Sequence, residues 1–323
     1  MLNPKLYLNQ KLFDKEVEQA PTRNGFGEAL VQLGEQNPNV VVLTADLSES
    51  TRTDKFEKAY PDRFFECGVA EQNMAAIAAG LAISGKIPFI SSYATFSPGK
   101  NWETIRTTII YNQANVKIAG HHSGIVTGPD GATHQATEDI AITRAWPGIQ
   151  VIVPCDAVEA KKATIESAKI KGPVYLRFTR DKTPVMTSEK TPFEPVSTFW
   201  VSNKPKAVIF ATGHLLYQAL LAAKELEDVL VANVAVVKPL DKSSILKLVK
   251  QIGAVVTVED HQIAGGLGGA ISELLARELP TPMEFVGLQD TFAESGMPSE
   301  LIKKYGLDST AIKSAVKKVI KRR

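Results

Sequence analysis

The densest chemistry in the chain lies between His121 and Asp139, in the stretch HHSGIVTGPDGATHQATED. It holds His121, His122 and His134, three of the five histidines, together with Asp130, Gly128 and Gly131. Imidazoles exchange protons near neutral pH, and a long glycine-containing loop in a compact domain is more often functional than accidental. Histidines also ligate metals, but no compact spacing such as H-x-x-x-H accompanies these, so a metal centre ranks low. A loop hydrogen bond explains any one of them about as well as function does; it explains all three together less well. A second feature is CGVAEQNMAAIAAGLAISG, Cys67 to Gly85, small and apolar apart from Glu71 near its start. A helix dipole alone would favour an acid in a first turn.

The cations of interest are Arg23, Arg177 and Arg180. Arg180, in FTRD, falls just past an apolar run, where a guanidinium can grip phosphate or carboxylate with paired hydrogen bonds. Arg177 is out of phase with Leu176 and Phe178 and reads as a surface or helix-packing charge. GGLGG (265–269) lacks the G-x-G-x-x-G spacing and the P-loop lysine, so tight packing at a helix start is its better reading. His261, in VEDHQ, carries little functional weight.

Positioning these residues requires a scaffold. Short β-branched runs read as buried strands at 40–46, 87–93, 116–122, 149–154 and 173–178, and helical patterns alternate with them at 25–37, 70–84, 102–113 and 156–170. Such alternation argues for a parallel sheet with helices on both faces. After Phe178 a proline-containing polar stretch intervenes, and the alternation then resumes in a smaller unit. VLVANVAVV reads there as one strand, with Asp241 as the cap of the following helix. The expected class is α/β, with two domains that each carry a mainly parallel sheet covered by helices. The divisions are an arm over 1–19, a first domain over 20–181, a linker over 182–203 and a second domain over 204–323. Ligands of open parallel sheets bind at the carboxyl ends of strands, which directs attention to TADLSEST, YATFSPG, the His121–Asp139 loop and FTRD.

The 323 residues carry a formal net charge of +2, so nothing demands nucleic acid or a membrane as partner. No apolar run reaches the ~20 residues of a membrane span, and the N-terminus lacks the pattern of a secretory signal. Cys67 and Cys155 form no paired-cysteine metal pattern or disulfide framework, and a cytoplasmic protein is expected.

Taken in order, GVAEQNMAAIAAG, YATF, GPDGATHQ and TADLSES resemble the C-terminal half of transketolase, the thiamine-diphosphate enzyme, in its two-subunit form. The resemblance covers nearly the whole chain, and implies a pyrimidine-binding domain followed by a transketolase C-terminal domain. Gly68, Glu71 and Met74 match G-x-x-E-x-x-M. The resemblance makes Glu71 the acid that shares a proton with N1′ of the cofactor's aminopyrimidine, a role suited to a carboxyl held among apolar neighbours. It makes Phe96 the ring stacked on that pyrimidine and Asp46 a residue near the cofactor at a subunit interface. Gly128, Asp130, Gly131, Thr133, His134 and Gln135 keep G-x-D-G-x-T-H-Q intact. His134 is thereby implied as a substrate-contacting catalytic histidine and Asp130 as a partner of the donor's hydroxyl. Arg23, Ser50, His122 and Arg180 align with the family's ligands for the substrate phosphate. The segment SPGKNWE departs from the family's later aromatics, and Trp102 is left without a role.

The family's G-D-G…N motif for diphosphate and its divalent metal has no counterpart here. The resemblance therefore implies half of a cofactor site, with no metal ligand of its own. Thiamine diphosphate would be shared with an N-terminal transketolase subunit that holds Mg²⁺ or a similar ion, in a heterotetramer acting on sugar phosphates. The β subunit of 2-oxoacid dehydrogenase E1 has this layout but does not normally carry D-G-x-T-H-Q. Deoxyxylulose-phosphate synthase carries it but is usually one longer chain. A non-catalytic subunit would not need Glu71, Asp130, His134 and Arg180 together.

Overall fold

The structure, a computed structural model, describes residues 1–226 and 228–323. The first half runs β1 (Gln19–Pro21), α1 (Thr22–Gln36), β2 (Val40–Thr44), α2 (Ser48–Thr51), α3 (Asp54–Ala59), β3 (Phe64–Glu66), α4 (Glu71–Ile83) and β4 (Ile87–Tyr93). It continues through α5 (Trp102–Thr104), β5 (Lys117–His121), α6 (Asp139–Arg144), β6 (Gln150–Ile152), α7 (Ala157–Lys169) and β7 (Val174–Arg177). Strands β6, β7, β5, β4, β2 and β3 lie side by side in that order, all parallel. All five residues of β2 and of β5 are buried, as continuous runs must be when helices cover both faces. Asp156 caps α7 by accepting from the Glu159 N–H (2.8 Å). The helix expected over 102–113 is broken into α5 and a wider π-helical turn over Ile105–Ile110.

The second half comprises β8 (Lys182–Pro184), β9 (Val196–Trp200), β10 (Ala207–Ala211), α8 (Leu216–Leu226), β11 (Val229–Val234), β12 (Val236–Lys238) and α9 (Lys242–Ile252). It ends with β13 (Val255–Gln262), α10 (Leu267–Glu278), β14 (Met283–Leu288), α11 (Pro298–Lys304) and α12 (Ser309–Ile320). Its sheet has the order β14-β13-β10-β11-β9, parallel except for β9. Asp241 caps α9, as its type and position led us to expect.

Three connections tie the halves together. The run read as a single strand splits: β11 belongs to the second sheet, while β12 crosses over and pairs antiparallel with β6 of the first. β1 pairs antiparallel with β8. The N-terminal segment lies against the second unit, with Asn3 N–H on the Phe199 carbonyl (2.8 Å) and Leu6, Leu8 and Leu12 in the same core as α8 and α12. Among the described residues no helix is long and apolar enough to cross a membrane.

Candidate active site

The carboxyl ends of β2, β4, β5 and β7 lie side by side in the first sheet, and the residues of interest follow them directly. Glu71 opens α4 and is buried, 2% exposed. Ser92 Oγ donates to Glu71 Oε1 (3.3 Å), Lys100 Nζ to Oε2 (3.2 Å), and Asn101 Nδ2 to the Glu71 carbonyl (2.9 Å). The carboxylate thus lies buried at an Ala-rich helix start, with two donors on it. Lys100 itself is half exposed.

Next to Ser92 begins a cluster of rings. Tyr93 stacks on His122 (centroids 3.7 Å apart) and lies parallel to Phe96 at 5.9 Å. His134 meets both edge-on, at 5.4 Å from Phe96 and 6.1 Å from Tyr93. These geometries are the favoured ones for π systems. Thr133 Oγ1 and His134 Nδ1 are 2.9 Å apart, which orients the His134 ring. His122 has a left-handed backbone (φ +54°), a conformation that persists in a non-glycine residue only where its surroundings hold it. Burial first, then Arg23, Arg180, His134 and Arg52, lower its pKa to about 3, so the ring is neutral at physiological pH. His121, one residue before, faces into the core; its Nε2 pairs with Ser91 Oγ (2.9 Å) and its ring stacks on Phe178.

Beyond His122 the site turns positive. Arg23, Arg52 and Arg180 line one cavity with Lys182, and Arg23 Nε is buried there without a hydrogen-bond partner. Burial, then Arg52 and Arg180, push the Arg23 guanidinium below its ordinary value. Arg23 Nη1 donates to the Ser50 carbonyl (2.6 Å). Arg180 Nη1 donates to the Thr127 carbonyl (2.8 Å) and stands 3.4 Å from Asp130 Oδ1. Buried or crowded guanidiniums with little carboxylate near them form a receptor for an anion.

The fold therefore brings Glu71, Phe96, His134, His122, Asp130, Arg23, Ser50 and Arg180 to one end of the first sheet, with Glu71 joined through Ser92 and Tyr93 to the rings, and His122 joined to Arg180 through Thr127, which donates to the His122 carbonyl (2.6 Å). Asp46 stands apart from these contacts: it is exposed, has a left-handed backbone (φ +57°), and is tied by its N–H to Glu66 Oε1 (2.8 Å). Tyr93, Ser92, Lys100 and Arg52 were not singled out from sequence. Tyr93 opens the YATF motif and Lys100 is the lone cation in SPGKNWE, so each left a trace there.

Arg177 corrects a sequence reading. It is buried, and its Nε and Nη2 grip both oxygens of Asp139 at 2.7 and 3.1 Å. β7 is covered on both faces, so alternation carries no information about exposure there. His261 and Trp102 are structural. His261 Nε2 accepts from the Ala141 N–H (3.3 Å), and Trp102 stacks on Trp146 at 5.4 Å. The glycines before α10 serve packing, as expected: Glu259 takes the N–H groups of Leu267 and Gly268, and a Cβ on Gly266 would lie 2.0 Å from its carboxylate.

A buried acid, stacked rings and an arginine-lined cavity, gathered at the strand ends of the first sheet, define a class. The transketolase pyrimidine-binding domain matches residues 18–186 and the transketolase C-terminal domain residues 200–312. The chain belongs to the transketolase family. More particularly, it is similar to chains that are separate subunits. It is 43% identical over 307 residues to a chain of Methanocaldococcus jannaschii described as a transketolase C-terminal section, covering 93% of this chain and 96% of that one. It is 34% identical over 315 residues to a 6-deoxy-6-sulfo-D-fructose transketolase subunit of a Clostridium species, covering 96% and 98%. Its fold matches a solved split-gene transketolase, an inactive β4 tetramer, with TM-score 0.87 and 43% identity over 93% of this chain and 98% of that one.

Proposed function

We propose that this chain is the pyrimidine-side subunit of a two-chain transketolase that moves a two-carbon ketol unit from a ketose phosphate to an aldose phosphate. The observation that carries this reading is the series in which the buried Glu71 carboxylate joins through Ser92 to the rings of Tyr93, Phe96, His134 and His122, and His122 joins through Thr127 to Arg180, which lines one cavity with Arg23. An acid, a set of rings and an anion receptor in that order match the ring, the reacting carbons and the terminal phosphate of one substrate–cofactor complex.

The residues present fit the aminopyrimidine half of thiamine diphosphate. Glu71 is a buried carboxylate able to hold a proton against a ring nitrogen, and Phe96, a half-buried ring, belongs to the cluster that begins beside its partner Ser92. When bound, the cofactor supplies the carbon nucleophile. Glu71 would hold the proton at N1′. The exposed edge of His134 would donate to or accept from the substrate's oxygens near the cleaved bond, and Asp130 would orient the donor hydroxyl. Arg23, Arg180 and the neutral His122 would fix the terminal anion, with Ser50 placed by its carbonyl against Arg23. Asp46 would lie at the edge toward the second subunit.

That second subunit would bring the diphosphate half, with Mg²⁺ or a similar ion and the family's remaining active-site histidines, to form a heterotetramer. The inactive tetramer of the split-gene relative supports the view that this chain alone does not suffice. The two free cysteines suit a reducing, cytoplasmic setting. The Clostridium relative's sulfosugar motivates a second reading, in which the terminal anion is a sulfonate.

The test is reconstitution. This chain, a partner bearing the G-D-G…N motif, Mg²⁺ and thiamine diphosphate are mixed, and transfer from xylulose 5-phosphate to ribose 5-phosphate is assayed. Transfer that requires both chains and is abolished by Glu71→Ala supports the proposal. Pyruvate decarboxylation without ketol transfer refutes it.

A further inference from the structure

Arg52 lines the anion cavity and is the guanidinium there that has been given no role. It ends α2 with a left-handed backbone (φ +66°), a conformation an arginine keeps only where its surroundings fix it. Helix α1 provides that fixing. A Cβ on Gly27 would lie 2.7 Å from both the Cβ and the carbonyl oxygen of Arg52, so only glycine lets the two segments approach this closely. Asn24, also on α1, accepts from Arg52 Nε (3.1 Å), and the Glu49 carbonyl accepts from Nη1 (3.2 Å). Both partners are uncharged. The guanidinium is held in place and its charge is left for something else.

That charge reaches its neighbours. Arg52 is among the groups that push down both Arg23 and His122. The cavity lining therefore carries Arg23, Arg52, Arg180 and Lys182 against Asp181, the one acid lining it among the described residues. A phosphate monoester bears about −1.5 to −2 at pH 7. A sulfonate of similar tetrahedral shape bears a single negative charge. Each added guanidinium in a partly buried site favours the doubly charged group more.

We propose that Arg52 is a specificity-determining residue of the anion subsite, biasing it toward a dianionic phosphate tail over a monoanionic sulfonate tail of the same shape. This rests on the reading of the cavity as the receptor for the substrate's terminal anion, and deepens it.

The experiment uses the reconstituted two-chain enzyme and three ketose donors. One carries a terminal phosphate, the second its sulfonate counterpart, and the third, erythrulose, has no terminal anion. Arg52→Asn is chosen because asparagine tolerates the left-handed region, and Arg52→Lys because it keeps the charge. In Arg52→Asn, kcat/KM for the phosphate donor falls at least ~10-fold, mainly through KM, on the scale of one lost charge-assisted hydrogen bond. The phosphate-to-sulfonate ratio falls several-fold, and Arg52→Lys recovers most of it. Calorimetric titration of the complex with inorganic phosphate reports the same loss without turnover. Equal losses on all three donors, or an unchanged phosphate-to-sulfonate ratio, overturn the proposal. A wild-type enzyme that uses the phosphate donor no better than erythrulose overturns the anion-receptor reading itself, and this inference with it.

Discussion

Two arginine-centred regions lie within the same half of the molecule, and they are built on opposite plans. Around Arg177 every charge is answered from inside the protein. Asp139 takes Arg177 Nε and Nη2 and the Tyr175 hydroxyl (2.6 Å); Arg177 Nη2 also reaches the carbonyls of Ala136 (3.2 Å) and Asp260 (2.8 Å). The Asp260 carboxylate in turn accepts the Ile125 N–H (3.0 Å) and pairs with His214 (2.9 Å). Burial opposes the charge on Arg177, but Asp139 outweighs it and lifts the guanidinium above its ordinary value. Around Arg23, Arg52 and Arg180 the balance is reversed: burial, then Arg52 and Arg180, lower the Arg23 guanidinium, and the Asp130 carboxylate stands 3.4 Å from Arg180. The first plan joins the His121–Asp139 loop to the second sheet. The second leaves positive charge uncompensated at a surface cavity, which is costly unless an anion arrives.

The comparison breaks first, if it is wrong, at Arg177. Replacing it with Met leaves Asp139 buried and unpaired, a loss of about 3–5 kcal/mol. Urea unfolding checks this; a loss below about 1 kcal/mol means the network is not structural. The next effect has the opposite character. Arg180→Met removes a cation with little internal pairing, so stability changes by no more than about 0.5 kcal/mol. Its cost appears in the KM for phosphate-bearing substrates, by about 1.5–3 kcal/mol, or roughly 10- to 100-fold. A stability loss rivalling that of Arg177→Met would erase the distinction between the regions.

Much of this contrast was invisible in sequence, for identifiable reasons. The buried strands announced themselves, because runs such as VVVLT and IPFISSY have few alternatives in an alternating α/β chain. Asp241 was legible as a cap because capping is local. Glu71, His134, Arg23 and Arg180 were picked out through the resemblance to transketolase, and the fold gathers them at one end of the first sheet. Arg177 was misread because a strand buried on both faces has no exposed phase. VLVANVAVV gave no hint of dividing between two sheets, since pairing partners are chosen by tertiary contacts. The same holds for Arg52, whose place depends on Gly27 and Asn24 of another helix, and for Lys100, which meets Glu71 only after the chain turns at Thr95–Lys100.

A third effect, small over any one pH unit, sharpens the picture of the open cluster. His122 is held neutral, with a pKa lowered to about 3. An unfolded chain would protonate it near 6.5. Above that value both states are neutral and no penalty exists. As pH falls from 6.5 toward 3, the unfolded state binds a proton that the native state refuses, so stability declines by at most about 1.4 kcal/mol per pH unit from this group. His121, also held well below its usual value, acts in the same direction. Comparing the pH slope of wild type with His122→Gln isolates the contribution, and equal slopes would show that burial and the arginines do not exclude charge from this ring.

The smallest effect belongs to the pair that fits neither plan. Lys100 and Glu71 stand 3.2 Å apart, with side-chain exposures of 52% and 2%. Solvent screens such a pair on the lysine side, and exposed pairs contribute about 0–1 kcal/mol. Lys100→Met therefore lowers stability by less than about 1 kcal/mol, because Ser92 still donates to Glu71 Oε1 and Asn101 still holds its carbonyl. Thermal unfolding of the isolated chain measures this directly. A loss approaching that of Arg177→Met would place Glu71 inside a closed internal network, with its charge already answered by the protein. A small loss leaves the carboxylate as the polar end of an open site, free to exchange its lysine for another partner.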